Sequence, residues 1–566
     1  MAELPIAATG ILLEFSRAGM LRLIDFHLAR RLGQLAGEAD PDVVLACALA
    51  VRELRLGSVC VDLATAAERL LPEADLDDVT AETTALGWPE RDSWLARVAA
   101  SPAVAGAAGD EAPFRLEGTL LYLDRYWRQE RSLAELLRAR STVPSEPVAV
   151  SFGPEERFDE HQRAAVTGAL THLTTVITGG PGTGKTTIVE RILEALAPTG
   201  PRVALCAPTG KAAARLLQQV GGAKGHTWGG TLHKLLGLRP RTSATEFGPG
   251  NPLPYDVVVV DETSMVSLEL MAALLAALSP ATRLILLGDP HQLRSVEAGA
   301  VLADIESADD LVTAPGGSLA RLLNNYRSND EINFLADAIL RGDETAARAV
   351  VETADSIEFI EFSGDVDPAG LAPLREDTIA TAAAVRERAL VGDGGGANHE
   401  LNGHRVLCGH REGPFGVAHW ARAIRAWLAT ELDGYGFDSR SYPGQPMLIQ
   451  RNSDLFSNGD TAVVVRSADD TLLAVVDRPE GAISVAPALL DDATDLHAMT
   501  IHKSQGSQFT RVSVVLPPPG SPLLTRELLY TAVTRARERV RIYGTWEAMA
   551  EAVATPARRA SGLAGR

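Results

Sequence analysis

A glycine-rich turn followed by a lysine and a threonine is the feature of this sequence with the plainest chemistry. Residues 179–186 read GGPGTGKT, which matches G-x-x-x-x-G-K-[ST] and lies between the apolar segment VIT and the helical pattern TIVERILEAL. Glycines let the backbone wrap around phosphate groups and turn its N–H groups toward them. In such a turn Lys185 reaches the outer phosphates and the Thr186 hydroxyl binds Mg²⁺. The predicted nucleotide-binding residues are Gly179, Gly180, Pro181, Gly182, Thr183, Gly184, Lys185, Thr186 and Thr187.

Two carboxylates end an apolar run further along the chain, in VVVVDE at 257–262. Asp261 is predicted to hold Mg²⁺ together with Thr186, and Glu262 to activate the attacking water. A third run, LLGDPHQL at 286–293, places Gln292 beside the phosphate site, where it would sense the terminal phosphate. The phosphate turn and the carboxylates together predict hydrolysis of a nucleoside triphosphate.

Short apolar runs, each followed by a turn with Gly or Asp, must position these residues. They lie at 175–178, 203–206, 257–260 and 284–287, and such runs suit a parallel sheet buried on both faces. A second set follows at 405–408, 447–450, 512–516 and 540–543. Between them, 462–485 is rich in β-forming residues with turn signals, which predicts a small all-β insertion.

The N-terminal part, residues 1–141, shows apolar residues near helical spacing and a long apolar helix around 43–54. It is acidic and contains no lysine, so it is a poor surface for DNA and is better suited to docking a protein. Three prolines in STVPSEPVAVSFGP predict a linker at 142–156.

Composition limits the class of protein. With 46% hydrophobic residues the chain is not mostly disordered, and a net charge of −20 excludes a globally basic nucleic-acid binder but not a local basic groove. Four cysteines without a C-x-x-C pair argue against zinc, iron–sulfur and disulfide frameworks. No apolar run is long enough to span a membrane and no secretory signal is visible, so we expect a cytoplasmic protein.

Eight motifs occur in an order that resembles the RecD branch of superfamily 1 DNA helicases. They are FDEHQRAAV (158–166), APTGKAAARL (207–216), TLHKLLG (231–237), DETSM (261–265), GDPHQLRSV (288–296), NNYRS (324–328), TIHKSQGSQF (500–509) and LLYTAVTRAR (528–537). The N-terminal part resembles the same branch through DFHLARRL and LYLDRYWRQE.

The resemblance implies an α/β fold with two RecA-like P-loop NTPase domains, a helical N-terminal domain and a small SH3-like β insertion. The expected bounds are 1–141, a linker at 142–156, a first motor domain at 157–330 and a second at 331–566, with the insertion at about 459–495. It further implies an ATP-dependent 5′→3′ DNA helicase that acts on single-stranded DNA and DNA ends in repair and recombination. Its implied partners are RecB-like and RecC-like subunits.

Individual roles carry over only where the motifs match. Gln162 would read the adenine edge, and Arg327 and Arg535 would contact the terminal phosphate from either side of the cleft. The residues implied to face DNA are Thr209, Lys211, Thr231, His233, Lys234, Thr500, His502, Lys503 and Gln505. Tyr326, Phe456 and Trp228 are candidates for stacking on bases, and Gln508 stands where the family often has Glu.

Three functions stay open from the sequence. The first is a motor subunit of a heterotrimer, the second a stand-alone RecD2-like helicase, and the third an ATP-driven DNA-binding or remodelling subunit that does not separate strands. None of the five lysines has Asp or Glu two positions before it, so a restriction-type nuclease site is not expected in this chain.

Overall fold

The computed structural model describes most of the chain and shows four β-sheets with helices packed around them. The described residues are 4–5, 7–72, 86–106, 111–220, 227–239, 245–308, 310–313, 316–326, 329–364, 370–436, 441–451, 453, 455–478, 481–557 and 559–565. Within these ranges, no helix combines the length and the apolar character needed to cross a bilayer.

The N-terminal region combines helices with a four-stranded sheet in the order β1-β4-β3-β2. The expected helix around 43–54 is confirmed, and it is buried over most of its length because it packs against α2, α5 and the sheet. The strands were not predicted, since each is only three or four residues long and gives little alternation to detect. The elements are α1 (Gly10–Arg17), α2 (Leu23–Ala36), α3 (Pro41–Arg55), β1 (Cys60–Asp62), α4 (Ala66–Arg69), α5 (Arg91–Ala100), β2 (Val104–Gly106), β3 (Phe114–Glu117), β4 (Leu120–Leu123) and α6 (Asp124–Ser141).

Residues 142–156 carry no helix or strand, and the first α/β domain follows them. Its six strands are all parallel, in the order β10-β5-β9-β8-β6-β7, and the four predicted runs are confirmed as β5, β6, β8 and β9. The elements are α7 (Glu160–Thr171), β5 (Thr174–Gly179), α8 (Lys185–Leu196), β6 (Val203–Ala207), α9 (Gly210–Val220), β7 (Thr227–Thr231), α10 (Leu232–Leu235), β8 (Val257–Val260), α11 (Leu268–Ala277), β9 (Arg283–Gly288), α12 (Val301–Ser307), α13 (Asp310–Thr313) and β10 (Ser318–Leu322).

The second α/β domain has five parallel strands in the order β11-β20-β19-β12-β18. Its elements outside the small sheet are α14 (Asp330–Arg341), α15 (Glu344–Thr353), β11 (Ile357–Glu361), α16 (Ala372–Leu390), α17 (Gly394–Leu401), β12 (His404–Cys408), α18 (Val417–Glu431), β18 (Ala498–Thr500), β19 (Phe509–Val515), α19 (Arg526–Val533), β20 (Ala536–Gly544) and α20 (Trp546–Ala554). The two α/β domains confirm the predicted fold class.

A small antiparallel sheet interrupts this second domain, in the order β16-β15-β14-β13-β17. Its strands are β13 (Pro446–Ile449), β14 (Thr461–Arg466), β15 (Leu472–Val476), β16 (Ile483–Val485) and β17 (Ala493–Asp495). The prediction that 447–450 belongs to the parallel set is wrong, because β13 pairs antiparallel with β14 and β17. The small sheet thus starts before the expected 459; its SH3-like character and the other domain bounds stay predictions.

The last described residues return from α20 to the N-terminal region. The Val59 amide donates to the carbonyl of Ala560 at 2.8 Å, and Leu563 is buried in the same apolar cluster as Tyr122 and Trp127. The chain's end therefore joins the second α/β domain to the N-terminal region and to α12.

Candidate nucleotide cleft and strand-facing surface

The phosphate turn runs from the end of β5 to the start of α8. Gly184 precedes the helix with a φ of +86°, a conformation that glycine adopts without strain, and a Cβ there would lie 2.6 Å from the Gln162 amide nitrogen. Lys185 Nζ donates to the carbonyls of Gly179 at 2.5 Å and Gly180 at 2.8 Å. The ammonium thus lies inside the turn, where a phosphate group would be wrapped.

The predicted carboxylates lie at the same edge of the sheet as this turn, because the strands are parallel and only β9 separates β5 from β8. Asp261 follows β8, and Glu262 after it has a φ of +51°, which is strained for a residue with a side chain. Burial and the neighbouring Glu262 raise the pKa of Asp261 to about 6, while Lys185 opposes the shift. Such strain and a raised carboxyl pKa are typical of functional sites.

Gln292 lies at the seam between the two α/β domains. Its amide nitrogen donates to Asp289 Oδ2 at 2.9 Å, and Tyr530 from α19 donates its hydroxyl to the same oxygen at 3.0 Å. Burial and Asp289 raise the pKa of Tyr530. Asp289 thereby links the predicted phosphate sensor to the second domain, a role that no motif reading assigned to Tyr530.

Arg535 reaches the same cleft from the second domain. Its Nε donates to the Thr531 carbonyl at 3.1 Å and its Nη1 to the Ser507 carbonyl at 3.2 Å. Burial lowers its pKa from the ordinary arginine value. Arg327 lies outside the residues that the structure describes.

One cleft brings most of the predicted hydrolytic residues together. Lysine, hydroxyl and carboxylates come from the first domain, and an arginine comes from the second, so closing the seam would surround a bound triphosphate. The predicted residues that line it are Pro181, Gly182, Gly184, Lys185, Thr186, Thr187, Asp261, Glu262, Gln292 and Arg535.

Gln162 contacts the phosphate turn from outside. Its amide nitrogen donates to the Thr183 carbonyl at 3.0 Å, and its amide oxygen accepts from the Asp159 amide at 3.2 Å. Tyr326, a candidate for base stacking, lies here too, because its hydroxyl donates to Asp159 Oδ2 at 2.6 Å and its amide to the Gly182 carbonyl. Tyr326 is therefore placed at the nucleotide side, and the adenine role of Gln162 stays a prediction.

The DNA-facing candidates of the first domain lie at the ends of β6 and β7, at the edge of the sheet that carries the phosphate turn. Thr209 and Lys211 stand at the start of α9, while Thr231 caps α10 and precedes the exposed His233 and Lys234. Thr231 and Lys234 line a groove that Phe456 of the small-sheet segment completes from the other side. The Trp228 ring is 6.3 Å from that of Tyr255, packed against the core of the first domain.

The candidates of the second domain begin at Thr500, the last residue of β18, and continue into the turn after it. Thr500 and Gln505 are buried, and the Gln505 amide nitrogen donates to the Leu293 carbonyl across the seam at 2.6 Å. Lys503 is exposed and its ammonium donates to Gln450, while burial lowers the pKa of His502. Gln508 also lines the nucleotide cleft. Of these candidates, His233, Lys234 and Lys503 are exposed to solvent, whereas Gln505 is held in the seam, and their contact with DNA stays a prediction.

Sequence reasoning missed Arg215, which lines the cleft from α9. The signal was available, because Arg215 lies four residues after Lys211 within APTGKAAARL, and residues four apart share one face of a helix.

Three family models match this chain. They describe the N-terminal domain of RecBCD enzyme subunit RecD over residues 17–122, an AAA domain over 162–298, and a UvrD-like helicase C-terminal domain over 495–543. Together they match regions in all three parts of the fold.

The RecD subunits of two mycobacterial relatives match this chain over nearly its whole length. RecBCD enzyme subunit RecD of Mycobacterium tuberculosis (strain ATCC 25618 / H37Rv) is 44% identical over 588 residues, covering 99% of this chain and 97% of the relative. The same subunit of Mycolicibacterium smegmatis (strain ATCC 700084 / mc(2)155) is 45% identical, covering 97% of this chain and 98% of the relative. The ATP-dependent RecD2 DNA helicase of Deinococcus radiodurans is 31% identical, covering 74% of this chain and 54% of the relative. A crystal structure of Pif1 helicase from Candida albicans matches at 16% identity with a TM-score of 0.40, covering 70% of this chain and 97% of that one.

Proposed function

The chain belongs to the RecD family of RecBCD enzyme subunits, and from this premise we propose that it is the ATP-dependent motor subunit of such a complex. It is an ATP-dependent 5′→3′ DNA helicase that acts on single-stranded DNA at DNA ends in repair and recombination. The observation that carries this proposal is the single cleft shared by Lys185, Glu262 and Arg535, which come from two separate parallel-sheet domains.

The residues in the cleft divide the hydrolytic work. Lys185 balances the charge of the outer phosphates, and Glu262 accepts the proton of the attacking water. Arg535, with Arg327 as its proposed counterpart, stabilises the charge that develops on the terminal phosphate, an effect worth roughly 10³–10⁵ in kcat in other nucleotide hydrolases. Gln292 senses the terminal phosphate and passes its state to Asp289 and Tyr530.

A magnesium ion fits the donors present. Thr186 offers a hydroxyl and Asp261 a carboxylate in the same cleft, and Mg²⁺ prefers such oxygen ligands together with substrate phosphates. We propose that these two residues hold the ion, which would neutralise phosphate charge when bound.

Closure of the seam couples hydrolysis to movement along DNA. Residues 500–505 of the second domain are proposed to face the DNA strand and are here called its strand-facing segment. The hydrogen bond from Gln505 to the Leu293 carbonyl already joins this segment to the one that carries Gln292. A strand held by Thr209, Lys211, Thr231, His233 and Lys234 on one domain, and by Thr500, His502 and Lys503 on the other, would be drawn along as the two approach. Hydroxyls and ammoniums suit contacts to phosphates that do not depend on sequence.

The proposed partners are RecB-like and RecC-like subunits, which would dock on the acidic N-terminal region, and the proposed compartment is the cytoplasm. Any nuclease activity of the complex then belongs to a partner. A stand-alone RecD2-like helicase remains the second candidate, supported by the Deinococcus relative. An ATP-driven remodelling subunit that leaves strands paired is the third.

Unwinding of tailed duplexes separates these functions. The full chain, alone and with its co-expressed partners, is expected to hydrolyse ATP only with single-stranded DNA and to unwind a duplex with a 5′ tail but not a 3′ tail. Full unwinding without partners would favour the stand-alone helicase, and hydrolysis without unwinding in any assembly would favour the remodelling subunit.

Lys185→Ala is expected to lower hydrolysis at least about 100-fold while DNA binding persists, because the ammonium stabilises phosphate charge. Normal turnover in Lys185→Ala would contradict the assignment of the phosphate turn.

A further inference from the structure

Arg215 is a second arginine in the nucleotide cleft, and it comes from the opposite domain to Arg535. It is half-buried on α9 and lines the cleft with Lys185, Asp261 and Glu262. The guanidinium of Arg215 therefore adds a positive charge to the cleft in which a triphosphate would bind. It is carried by α9, the helix whose first residues are implied to face DNA.

The two arginines are held by consecutive carbonyls of one turn. Arg215 Nη1 donates to the Gly506 carbonyl at 3.2 Å, and Arg535 Nη1 donates to the Ser507 carbonyl at 3.2 Å. Gly506 has a φ of +73°, so this turn requires the conformational freedom of glycine. The turn directly follows Gln505, and it thus fixes a guanidinium from each domain beside the same cleft.

Arg215 has the donors that a phosphate needs. Among the described residues, no carboxylate forms an ion pair with Arg215, and the Gly506 carbonyl is the one acceptor of a hydrogen bond from its side chain. A guanidinium carries five N–H donors in a planar fork that matches phosphate oxygens. Since the contact with Gly506 uses one of them, the others can face a phosphate without breaking the link to the second domain.

The same helix contacts the predicted metal ligand. Thr186 donates its hydroxyl to the Gln219 amide oxygen at 3.2 Å, one turn of α9 beyond Arg215. Lys211, one turn before Arg215, begins the strand-facing part of this helix. One face of α9 therefore runs from the DNA side of the first domain to its nucleotide side.

We propose that Arg215 is a further catalytic residue, a cation from the first domain that contacts the terminal phosphate. Because Arg215 is hydrogen-bonded to Gly506 of the second domain, closure of the seam determines where its guanidinium lies. This inference rests on the proposed ATPase function and deepens it. Arg215 and Arg535 then act as a pair, one from each domain, and both depend on the turn that follows the strand-facing segment of the second domain.

The test is steady-state ATP hydrolysis by the full chain with saturating single-stranded DNA. Arg215→Ala is expected to lower kcat by about 10- to 100-fold, as loss of one charge-stabilising donor does. The KM for ATP is expected to change less than about threefold, since an interaction made mainly in the transition state affects kcat. Arg215→Lys keeps the charge but loses the fork, so its kcat is expected to fall between the two.

Arg202→Ala is the matched control. Arg202 is an exposed arginine of the same domain that pairs with Asp256 ahead of β6, at the sheet edge opposite the cleft, and its loss is expected to leave kcat unchanged. The thermal midpoint of each variant is measured alongside, and if Arg215→Ala does not fold, Arg215→Lys decides.

The results separate this inference from the function on which it rests. A wild-type chain that hydrolyses no ATP with DNA and partners contradicts the proposed function. With an active wild type, a kcat in Arg215→Ala within about twofold of wild type overturns the inference. A rise in KM at unchanged kcat, or a change in the salt dependence of DNA binding at unchanged kcat, overturns it as well, because Arg215 would then serve ground-state binding or the DNA strand.

Discussion

At the scale of single residues, the cations of this chain have different surroundings. Lys211 is half-buried between α9 and the small sheet, in a chamber it shares with Asp460 and Asp477. Burial lowers its pKa to about 8, with Arg405 acting in the same direction and the two carboxylates opposing it. Lysine, unlike arginine, can lose its charge in such a place.

The lowered pKa of Lys211 makes a pH-dependent prediction for DNA binding. If Lys211 contacts the strand as its motif implies, Lys211→Ala weakens binding of single-stranded DNA at pH 7, and the difference from wild type shrinks at pH 9, where most of the ammonium is deprotonated. Lys211→Arg is the control, because a guanidinium keeps its charge and binding should then lose this pH dependence. Fluorescence anisotropy at both pH values measures it, and an equal loss at pH 7 and pH 9 would contradict the prediction.

The same shift has a consequence for stability, with the sign set by linkage. The folded-state pKa lies below the ordinary value of 10.5, so the charged form costs stability below about pH 8, and that cost disappears as pH rises toward 10.5. At neutral pH the half-buried ammonium therefore opposes folding, which is consistent with a residue kept for binding.

At the scale of elements, residues 560–563 of the C-terminal segment, here called the strap, connect separate parts of the fold. Beyond the backbone contact between Val59 and Ala560, the Ser561 hydroxyl and the Gly562 amide both donate to Glu130 Oε2, at 3.0 and 3.2 Å. Leu563 adds an apolar anchor that is 1% exposed. The strap follows the last helix of the second domain, and its contacts hold the N-terminal region against the first domain.

Truncating the apolar side chain of this strap tests how much the strap contributes to stability. Leu563→Ala removes buried methyl groups from a packed cluster and is expected to cost about 2–5 kcal/mol in the free energy of unfolding. Calorimetry, with hydrogen exchange of β1, measures the loss and locates it at the N-terminal region. Leu489→Ala, at a position 66% exposed, is the control and is expected to change stability little. Equal stability in both variants would show that the strap does not contribute to the free energy of unfolding.

At the scale of the whole molecule, a net charge of −20 must be reconciled with binding a polyanion. Lysine is rare in this chain, and two of its five lysines, Lys234 and Lys503, are exposed at positions that the motifs imply to face DNA. The acidic N-terminal region contains no lysine. Binding should therefore depend on a limited number of phosphate contacts, each of which adds about one to the slope of log affinity against log salt.

Counting those contacts gives the prediction at this scale. Lys503→Ala is expected to weaken single-stranded DNA binding regardless of sequence and to lower the slope of log affinity against log salt by about one contact. A salt titration of the full chain measures the slope, with Arg202→Ala as a control that should leave it unchanged. An unaltered slope would remove Lys503 from the strand-facing surface.

The sequence by itself determined the local chemistry of this protein. The phosphate turn, the run ending in Asp261 and Glu262, and the parallel strands that carry them follow from patterns spanning a few residues. Such patterns are visible because glycine geometry, continuous apolar runs and charged strand ends act over short distances along the chain.

Only the tertiary structure decided which distant segments meet. It placed 446–449 in the antiparallel small sheet, paired four short N-terminal strands, set Tyr530 on Asp289, and brought Arg215 to the Gly506 carbonyl, 291 residues further along the chain. These contacts depend on packing between elements far apart in sequence, which no local period encodes. The candidate nucleotide cleft exists because turns of two separate sheets lie side by side, and that juxtaposition is a property of the folded molecule.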